Sequence, residues 1–454
     1  VGQVTEGVNL RYVIFLGCTA ALGGLLFGFD IAIITGAGPF LIRAFSLSDF
    51  GLGWAFSSLL FGCVLGAFIA GKYTNRFGRK KPLMMVALLF AATSIATAGS
   101  GGFFSFILAR FLGGLAVGGV SLLSPMYVSE VSPPTMRGRM GTLYQMSIVV
   151  GIIVSYGINF LLRDTGVNNW RWMFLSGVAP SALFLLCVAL APESPRYLAL
   201  KGKMQEAFAL LERISGAKSA EFQMDEIKAT MHKETQNWRG LLRPGVRSAL
   251  AISICLAIFI HVSGINTVID YAPLIFQSAG WNVNGALAST LIVGVNNLLF
   301  TLVSFWVIDK FGRKPLYITG SMGMGLSLLA LVATVLTGHF HGVIVLGLIL
   351  TYLAFFSACI GPVFWTLVPE IFPNDVRGMA MSVPVLTQWV ANALVVLLFP
   401  HAFAAIGKAP TFGFLAVMAL GQGIFTWRFV PETKNKTLEE IEMYWSDPNR
   451  VIAS

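Results

Sequence analysis

Ile258-Phe-Ile-His-Val-Ser-Gly-Ile-Asn-Thr-Val-Ile-Asp-Tyr-Ala-Pro273 decides how the whole chain is read. It sits in an apolar run long enough to lie within a membrane. Yet it carries His261, Ser263, Asn266 and Asp270, and it is interrupted by Gly264 and Pro273. Polar side chains and helix breakers are costly at membrane depth unless they line a cavity. A broken helix that builds a binding site accepts that cost for a reason. The rest of the chain reads as the wall, the gate or the twin of this segment.

The composition agrees. Of 454 residues (49.0 kDa), 56% are hydrophobic and 11% charged, with mean hydropathy +0.76. Soluble domains are about a quarter charged, so this is the composition of a polytopic membrane protein. The net charge of +10 invites a nucleic-acid reading. However, Lys and Arg gather in 72–81, 137–139, 201–247, 310–314 and 434–436, all on one side of the membrane if the apolar runs are spans. The opposite loops hold little beyond Arg43, Arg163, Arg171 and Lys408. That asymmetry is the positive-inside rule and needs no nucleic acid. Cys18, Cys63, Cys187, Cys255 and Cys359 all lie in apolar runs without a CxxC pattern, as small core residues do. No metal or cofactor site is expected. The first apolar run lacks a short h-region with a cleavage site and reads as a retained span.

A membrane helix needs roughly 20 mostly apolar residues, and about twelve such runs are present. Six lie near 11–41, 51–71, 82–100, 104–127, 140–162 and 172–191; six more lie near 247–278, 286–308, 315–337, 342–368, 378–404 and 411–430. The expected division is a first bundle over 1–199, a cytosolic helical linker over 200–244, a second bundle over 245–434 and a cytosolic tail over 435–454. In the linker, 205–214 has apolar residues at helical spacing and 224–232 is charged and helical. In the tail, 437–442 reads as one more short helix with Thr437 as its cap. The two halves repeat each other. Basic turns with glycine follow the second span (71–80) and the eighth (309–314). Glu130 and Arg137-Gly follow the fourth, and Glu370 and Arg377-Gly the tenth. Pro192-Glu-Ser-Pro-Arg196 ends the sixth, and Pro431-Glu-Thr-Lys434 the twelfth. Paired motifs at matching places are the mark of an internal repeat. Transporters built this way bind substrate between the repeats, near the midplane.

These motifs resemble the major facilitator superfamily and, within it, the sugar porter family. The resemblance rests on Gly71 with Asn75-Arg76-x-Gly78-Arg79, Arg137-Gly-Arg139, Pro192-Glu-Ser-Pro-Arg196, Gly264-Ile-Asn266, Asp309 with Gly312-Arg313, and Pro431-Glu-Thr433. It runs over nearly the whole chain. It implies an all-α integral membrane protein of the major facilitator fold, with twelve transmembrane helices in two six-helix bundles. Asn75 departs from the family, which usually has Asp there.

Three groups of residues carry the expected chemistry. First, Arg76, Arg79, Glu130, Arg137, Arg139, Glu193, Arg196, Arg313, Glu370, Arg377 and Glu432 read as charge-assisted clasps of a cytosolic gate, the plainer alternative being charges that only orient the protein in the membrane. Second, Asp30 in the first span and Arg110 in the fourth are opposite charges in the hydrocarbon layer, where each must find a partner. Arginine keeps its proton, so Asp30 is the switchable member. The alternative is a permanent structural ion pair. The resemblance favours proton coupling, because proton-coupled sugar porters carry Asp at this position and facilitative ones do not. Third, the family positions for substrate binding match Phe27, Gln145, Asn266, Asn297, Gly361, Trp365, Gln388 and Trp389. Amides and aromatic platforms suit a sugar's hydroxyls and C–H faces, although a single amide can also serve as interhelical glue. Ile260 and His261 stand where the family usually has two glutamines, and Asp270 where it has Tyr. If His261 faces water it charges near neutral pH. His261 and Asp270 then pair with each other or contact substrate, or else both pack between helices.

The expected function is a proton-coupled symporter of a monosaccharide or related polyol, working by alternating access. The partners are substrate, proton and membrane lipid. The protein is expected to be a functional monomer in the cell membrane, or the inner membrane of a bacterium, with both termini cytosolic. No nucleotide-binding loop and no covalent chemistry are read, so it is not expected to be an enzyme. The rivals are uncoupled facilitation, a transporter of a non-carbohydrate, and a non-transporting sugar sensor.

Overall fold

The computed structural model describes residues 9–133, 136–231, 241, 243–372 and 376–434, with the backbone alone at 75, 137–138, 229–231, 244–245, 309 and 377–378. Twelve membrane-length apolar spans are present among the described residues. The first six are α1 (Leu10–Phe45), α2 (Asp49–Phe77), α3 (Lys80–Ala98), α4 (Phe103–Val131), α5 (Arg137–Leu162), and α6 (Asn169–Leu175) continued by α7 (Val178–Leu190). The linker folds into α8 (Pro195–Leu200), α9 (Met204–Ser215) and α10 (Ala217–Met231). The seventh span is broken into α11 (Pro244–Val262), α12 (Ile265–Asp270) and α13 (Ala272–Ser278). Then come α14 (Val283–Phe311), α15 (Arg313–Leu336), and α16 (Gly342–Phe355), which passes through a π-helical turn (Phe356–Ile360) into α17 (Gly361–Glu370). The last two spans are α18 (Arg377–Ala405) and α19 (Lys408–Phe429). The expected tail helix with Thr437 lies outside the described residues.

The seventh span breaks where its sequence says it must. Gly264 takes a left-handed φ of +91°, a conformation other side chains adopt only under strain, and Pro273 opens α13. The tenth span passes through its π turn immediately before Gly361-Pro362, which open α17. A π turn beside a proline is a recognised source of kinks, because the regular ladder is interrupted there.

The chain forms two compact units, Val1–Ile34 with Phe61–Thr235 and Thr35–Leu60 with Gln236–Ser454. In the first unit, helices with little polar surface are held by close backbone approach through glycine. A Cβ at Gly28 would lie 2.0 Å from the Ile148 carbonyl oxygen, and one at Gly151 would lie 2.2 Å from that of Leu25. These reciprocal contacts lock α1 to α5 just before Asp30. Where lipid is as apolar as the helices, such small-residue faces supply association through van der Waals contact. The linker joins this unit too. Asn9 donates its backbone N–H to the Ile214 carbonyl at 3.2 Å, and the Arg213 guanidinium lies 4.2 Å from the Tyr12 ring centroid.

The second unit contains more than the six C-terminal spans. It includes the part of α1 from Thr35 onward and α2 up to Leu60. A Cβ at Gly53 would lie 2.1 Å from the Leu397 carbonyl oxygen. Phe56 stacks on Tyr271 at 4.5 Å, and Tyr271 stacks on Phe399 at 5.3 Å while donating its hydroxyl to the Val396 carbonyl at 2.9 Å. The boundary expected near residue 200 separates the two sets of spans but not the compact units.

Gly28→Ala should push α1 from α5, because the obstructing atom is a backbone oxygen. The expected loss is about 1–3 kcal/mol, seen as a lower melting temperature in detergent. Gly157→Ala on α5, with nothing within 4 Å, should leave the melting temperature unchanged or slightly raised. Equal effects in the two variants would refute the close-approach account.

Candidate functional site

Asp30 and Arg110 meet inside the first unit. Arg110 on α4 donates Nη1 to the Asp30 carboxylate at 2.6 Å and Nη2 to the Asp30 backbone carbonyl at 3.2 Å. Asp30 is 7% exposed and Arg110 2%. An ion pair so buried repays its desolvation only through close, hydrogen-bonded geometry, which is present here. The arrangement leaves one titratable carboxylate against one permanent cation in a dry interior.

The charged motifs at the linker end form two matching assemblies, one in each unit. Glu193 accepts the backbone N–H of Arg79 at 2.9 Å and of Lys80 at 3.2 Å, capping the start of α3. Glu432 accepts those of Arg313 at 3.1 Å and Lys314 at 3.0 Å, capping the start of α15. A carboxylate is favoured at a helix N-terminus because it meets unpaired N–H groups and the positive end of the dipole. Gly78 and Gly312 make this possible. Both have a left-handed φ (+83° and +89°), and a Cβ there would lie 2.4 Å and 2.7 Å from the capping carboxylates.

The described partners of Glu130 and Glu370 come from the basic turns and from the motifs that end each half. Glu130 pairs with Arg79 at 2.7 Å and accepts the Ser194 hydroxyl. Glu370 pairs with Arg313 at 3.1 Å and accepts the Thr433 hydroxyl at 2.5 Å. Arg137 and Arg377 begin α5 and α18, and their side chains lie outside the described residues. Arg76 and Arg139 are exposed and enter no ion pair among the described residues; the Arg76 guanidinium lies 5.3 Å from the Phe77 ring centroid. Arg196 is half-buried beside a cavity of 180 Å³ that Ser129, Glu130, Gln223 and Glu226 also line. Ser194 and Thr433 were missed, although each follows the glutamate of its motif and the recurrence of a hydroxyl there was the available signal.

The substrate candidates divide between the units. Phe27 on α1 and Gln145 on α5 belong to the first, and both are half-buried. The second holds His261 on α11, Asn266 and Asp270 on α12, Asn297 on α14, Gly361 and Trp365 on α17, and Gln388 and Trp389 on α18. There α18 packs against α11, α12 and α17, and α14 against the π turn. Asn297 Oδ1 accepts the Ser357 hydroxyl at 2.7 Å and that of Thr301 at 3.4 Å, which engages its oxygen and leaves the two amide N–H donors for other acceptors. Trp365 is 45% exposed, whereas Trp389 is 6% exposed. The indole of Trp365 is therefore the more accessible platform.

His261 does not face water, which corrects one condition of the sequence reading. It is 6% exposed, and neither ring nitrogen has a hydrogen-bond partner among the described residues. It does not pair with Asp270, itself 5% exposed. The two are nine residues apart, which at about 100° per residue puts them on opposite faces of a continuous helix, and the break at Gly264 does not bring them together.

Comparison with known proteins agrees with this architecture. The profile of the family described as "Sugar (and other) transporter" matches residues 16–445. An arabinose-proton symporter of Bacillus subtilis (strain 168) is 39% identical over 449 residues, covering 97% of this chain and 97% of its own. A D-xylose-proton symporter of Escherichia coli (strain K12) is 36% identical, covering 96% of each. Among solved structures, the proton:xylose symporter XylE bound to 6-bromo-6-deoxy-D-glucose superposes with a TM-score of 0.81 at 36% identity, covering 96% of this chain and 100% of that one. The inward open conformation of XylE from Escherichia coli gives 0.85 at 34% identity, covering 95% and 100%. With profile, relatives and fold agreeing over nearly its full length, the chain belongs to the sugar transporter family of the major facilitator superfamily.

Proposed function

We propose that the protein is a proton-coupled symporter of a monosaccharide or related polyol, resident in the cell membrane and working by alternating access. The observation that carries this is the buried Asp30–Arg110 pair: one proton-accepting carboxylate held in a dry bundle against a cation that cannot give up its own proton. The names of the relatives, arabinose-proton and D-xylose-proton symporters, support a pentose- or hexose-sized cargo. Phe27, Gln145, Asn266, Asn297, Gly361, Trp365, Gln388 and Trp389 are the proposed substrate contacts. The positive-inside charge pattern supports cytosolic termini and a cytosolic linker.

In this reading, protonation of Asp30 removes the counter-charge of Arg110 and biases the bundle between its two access states. The matching Arg79–Glu130 and Arg313–Glu370 clasps brace helix ends within each half, so that each half moves as a body. Asn297, oriented by Ser357, presents amide donors to sugar hydroxyls.

Asp30→Asn keeps the shape and loses the titratable proton. It should abolish accumulation of sugar against a gradient in proteoliposomes while preserving binding. An Asn variant that still accumulates substrate would eliminate Asp30 as the carrier and favour uncoupled facilitation or another coupling group.

Gln145→Ala should weaken sugar binding by roughly 1–3 kcal/mol, about 5- to 150-fold, as a buried hydrogen bond is lost. Trp365→Ala should weaken it as well, by removing an aromatic platform. Calorimetric titration with D-xylose, L-arabinose and D-glucose reads the effect, and unchanged affinity in both variants would place the site elsewhere.

Arg79→Ala, Glu130→Ala and their combination form a double-mutant cycle. The pair should show a coupling of about 0.5–3 kcal/mol in detergent stability. Strictly additive losses would mean that the contact does not act as a clasp.

A further inference from the structure

The guanidinium of Arg110 has a second neighbour that none of the readings above employs. Its central carbon lies 5.2 Å from the ring centroid of Phe174 on α6. Phe174 is 2% exposed and is held edge-on by Phe106, with centroids 5.5 Å apart and planes at 75°; Phe106 in turn meets Trp170 at 6.0 Å. The ring under the arginine is thus packed against Phe106, which is itself packed against Trp170. Arg110 Nε has no hydrogen-bond acceptor among the described residues. The cation therefore has three supports: the Asp30 carboxylate, the Asp30 backbone carbonyl and the π face of Phe174.

We propose that Phe174 is a positioning residue of the coupling pair, holding the Arg110 cation in place while Asp30 is neutral and so setting how readily Asp30 accepts a proton. The proposal rests on the reading of Asp30 as the proton carrier. In the step itself a proton from the aqueous phase bonds to one oxygen of the Asp30 carboxylate. Asp30 becomes a neutral acid, Arg110 remains a guanidinium, and no other bond changes. The charged Nη1–H···carboxylate contact then becomes a weaker contact to a neutral group. A cation left alone in a low-dielectric interior is expensive, and the quadrupole of an aromatic face is one of the few groups that can offset it without a second titrating charge. The ring helps in both states, but it helps more when the carboxylate is neutral. Removing its electron density therefore disfavours the protonated form, and a higher proton concentration is needed to reach it.

The surroundings isolate this contribution. Away from the helix ends, Asp30 and Arg110 are the only charged residues in α1 through α5, and α7 has none. Cys63 on α2 is the titratable neighbour that feels both charges. From α5 comes the neutral Asn159, which donates to the Ile33 carbonyl at 3.1 Å. The one charged residue of α6, Arg171, turns to the Ala98 carbonyl at 2.5 Å.

The test replaces Phe174 with mono-, di- and trifluorinated phenylalanine, which keep the ring's shape and progressively drain its face, alongside Phe174→Leu and Phe174→Tyr. Concentrative uptake of D-xylose and L-arabinose in proteoliposomes is measured from about pH 5 to 8, with counterflow exchange as the uncoupled reference. Half-maximal concentrative uptake should move to lower pH step by step along the fluorinated series. Because the ring supports the cation in both states, only part of a desolvated cation–π contact is read, and the full loss should reach roughly three- to tenfold higher proton concentration. Phe174→Leu should match the end of the series, Phe174→Tyr should restore the parental profile, and exchange should stay unaltered. A pH profile that is the same for every ring, with Asp30→Asn still abolishing accumulation, would overturn the role of Phe174 and leave the coupling reading standing. Accumulation by Asp30→Asn would instead overturn the coupling reading and, with it, this role.

Discussion

A buried guanidinium must be matched by its surroundings, and much of the first unit is arranged to do so. Arg110 lies buried in the third turn of α4, where an uncompensated charge would cost several kcal/mol or more. Its match comes from α1, through the carboxylate and backbone carbonyl of Asp30, and from α6, through Phe174. The first requires α1 to come close at one register. The glycine contacts of α1 with α5 at Gly28 and Gly151, within five residues of Asp30 on the α1 side, hold that register. Close packing and charge compensation are thus one constraint seen from two sides.

The clasps solve a different problem in the same way twice. Each half must turn sharply from one span to the next at the linker end, and each turn leaves the first N–H groups of a helix unpaired. A glutamate just after the last span of that half, Glu193 or Glu432, fills the gap, and glycine at 78 and 312 gives it room. The neighbouring arginine then reaches a second carboxylate, Glu130 or Glu370. The two copies are not equal. The side chains of the first pair are 4% and 9% exposed, those of the second 18% and 28%. Buried pairs depend more on geometry and resist opening more than solvated ones.

The candidate substrate residues show how far a list of residue types reaches. Amides and indoles in apolar spans are legible as cavity candidates because lipid offers them nothing. Which of them presents a free edge is not legible. Asn297 is oriented by Ser357, a residue sixty positions away that has no motif of its own. Trp365 is accessible and Trp389 is not, although both stand in apolar helices with similar neighbours. Residue type left open whether His261 faces water or packs between helices; it is buried, because solvent contact depends on which helices cover α11.

The sequence by itself determined the span count, the repeat, the break at Gly264 and Pro273, the pairing of Asp30 with Arg110 and the family. These follow from local rules: apolar length, helix-breaking residues, the cost of charge in hydrocarbon, and motifs that recur at fixed places. Only the tertiary structure decided that Glu130 binds Arg79 and Ser194, that Glu370 binds Arg313 and Thr433, that Phe174 lies against Arg110, and that parts of α1 and α2 pack with the second unit. The reason is that such partners are chosen by the rotation and approach of whole helices. In an apolar chain that rotation is set by many weak van der Waals contacts spread over long faces, and no short stretch of sequence encodes it.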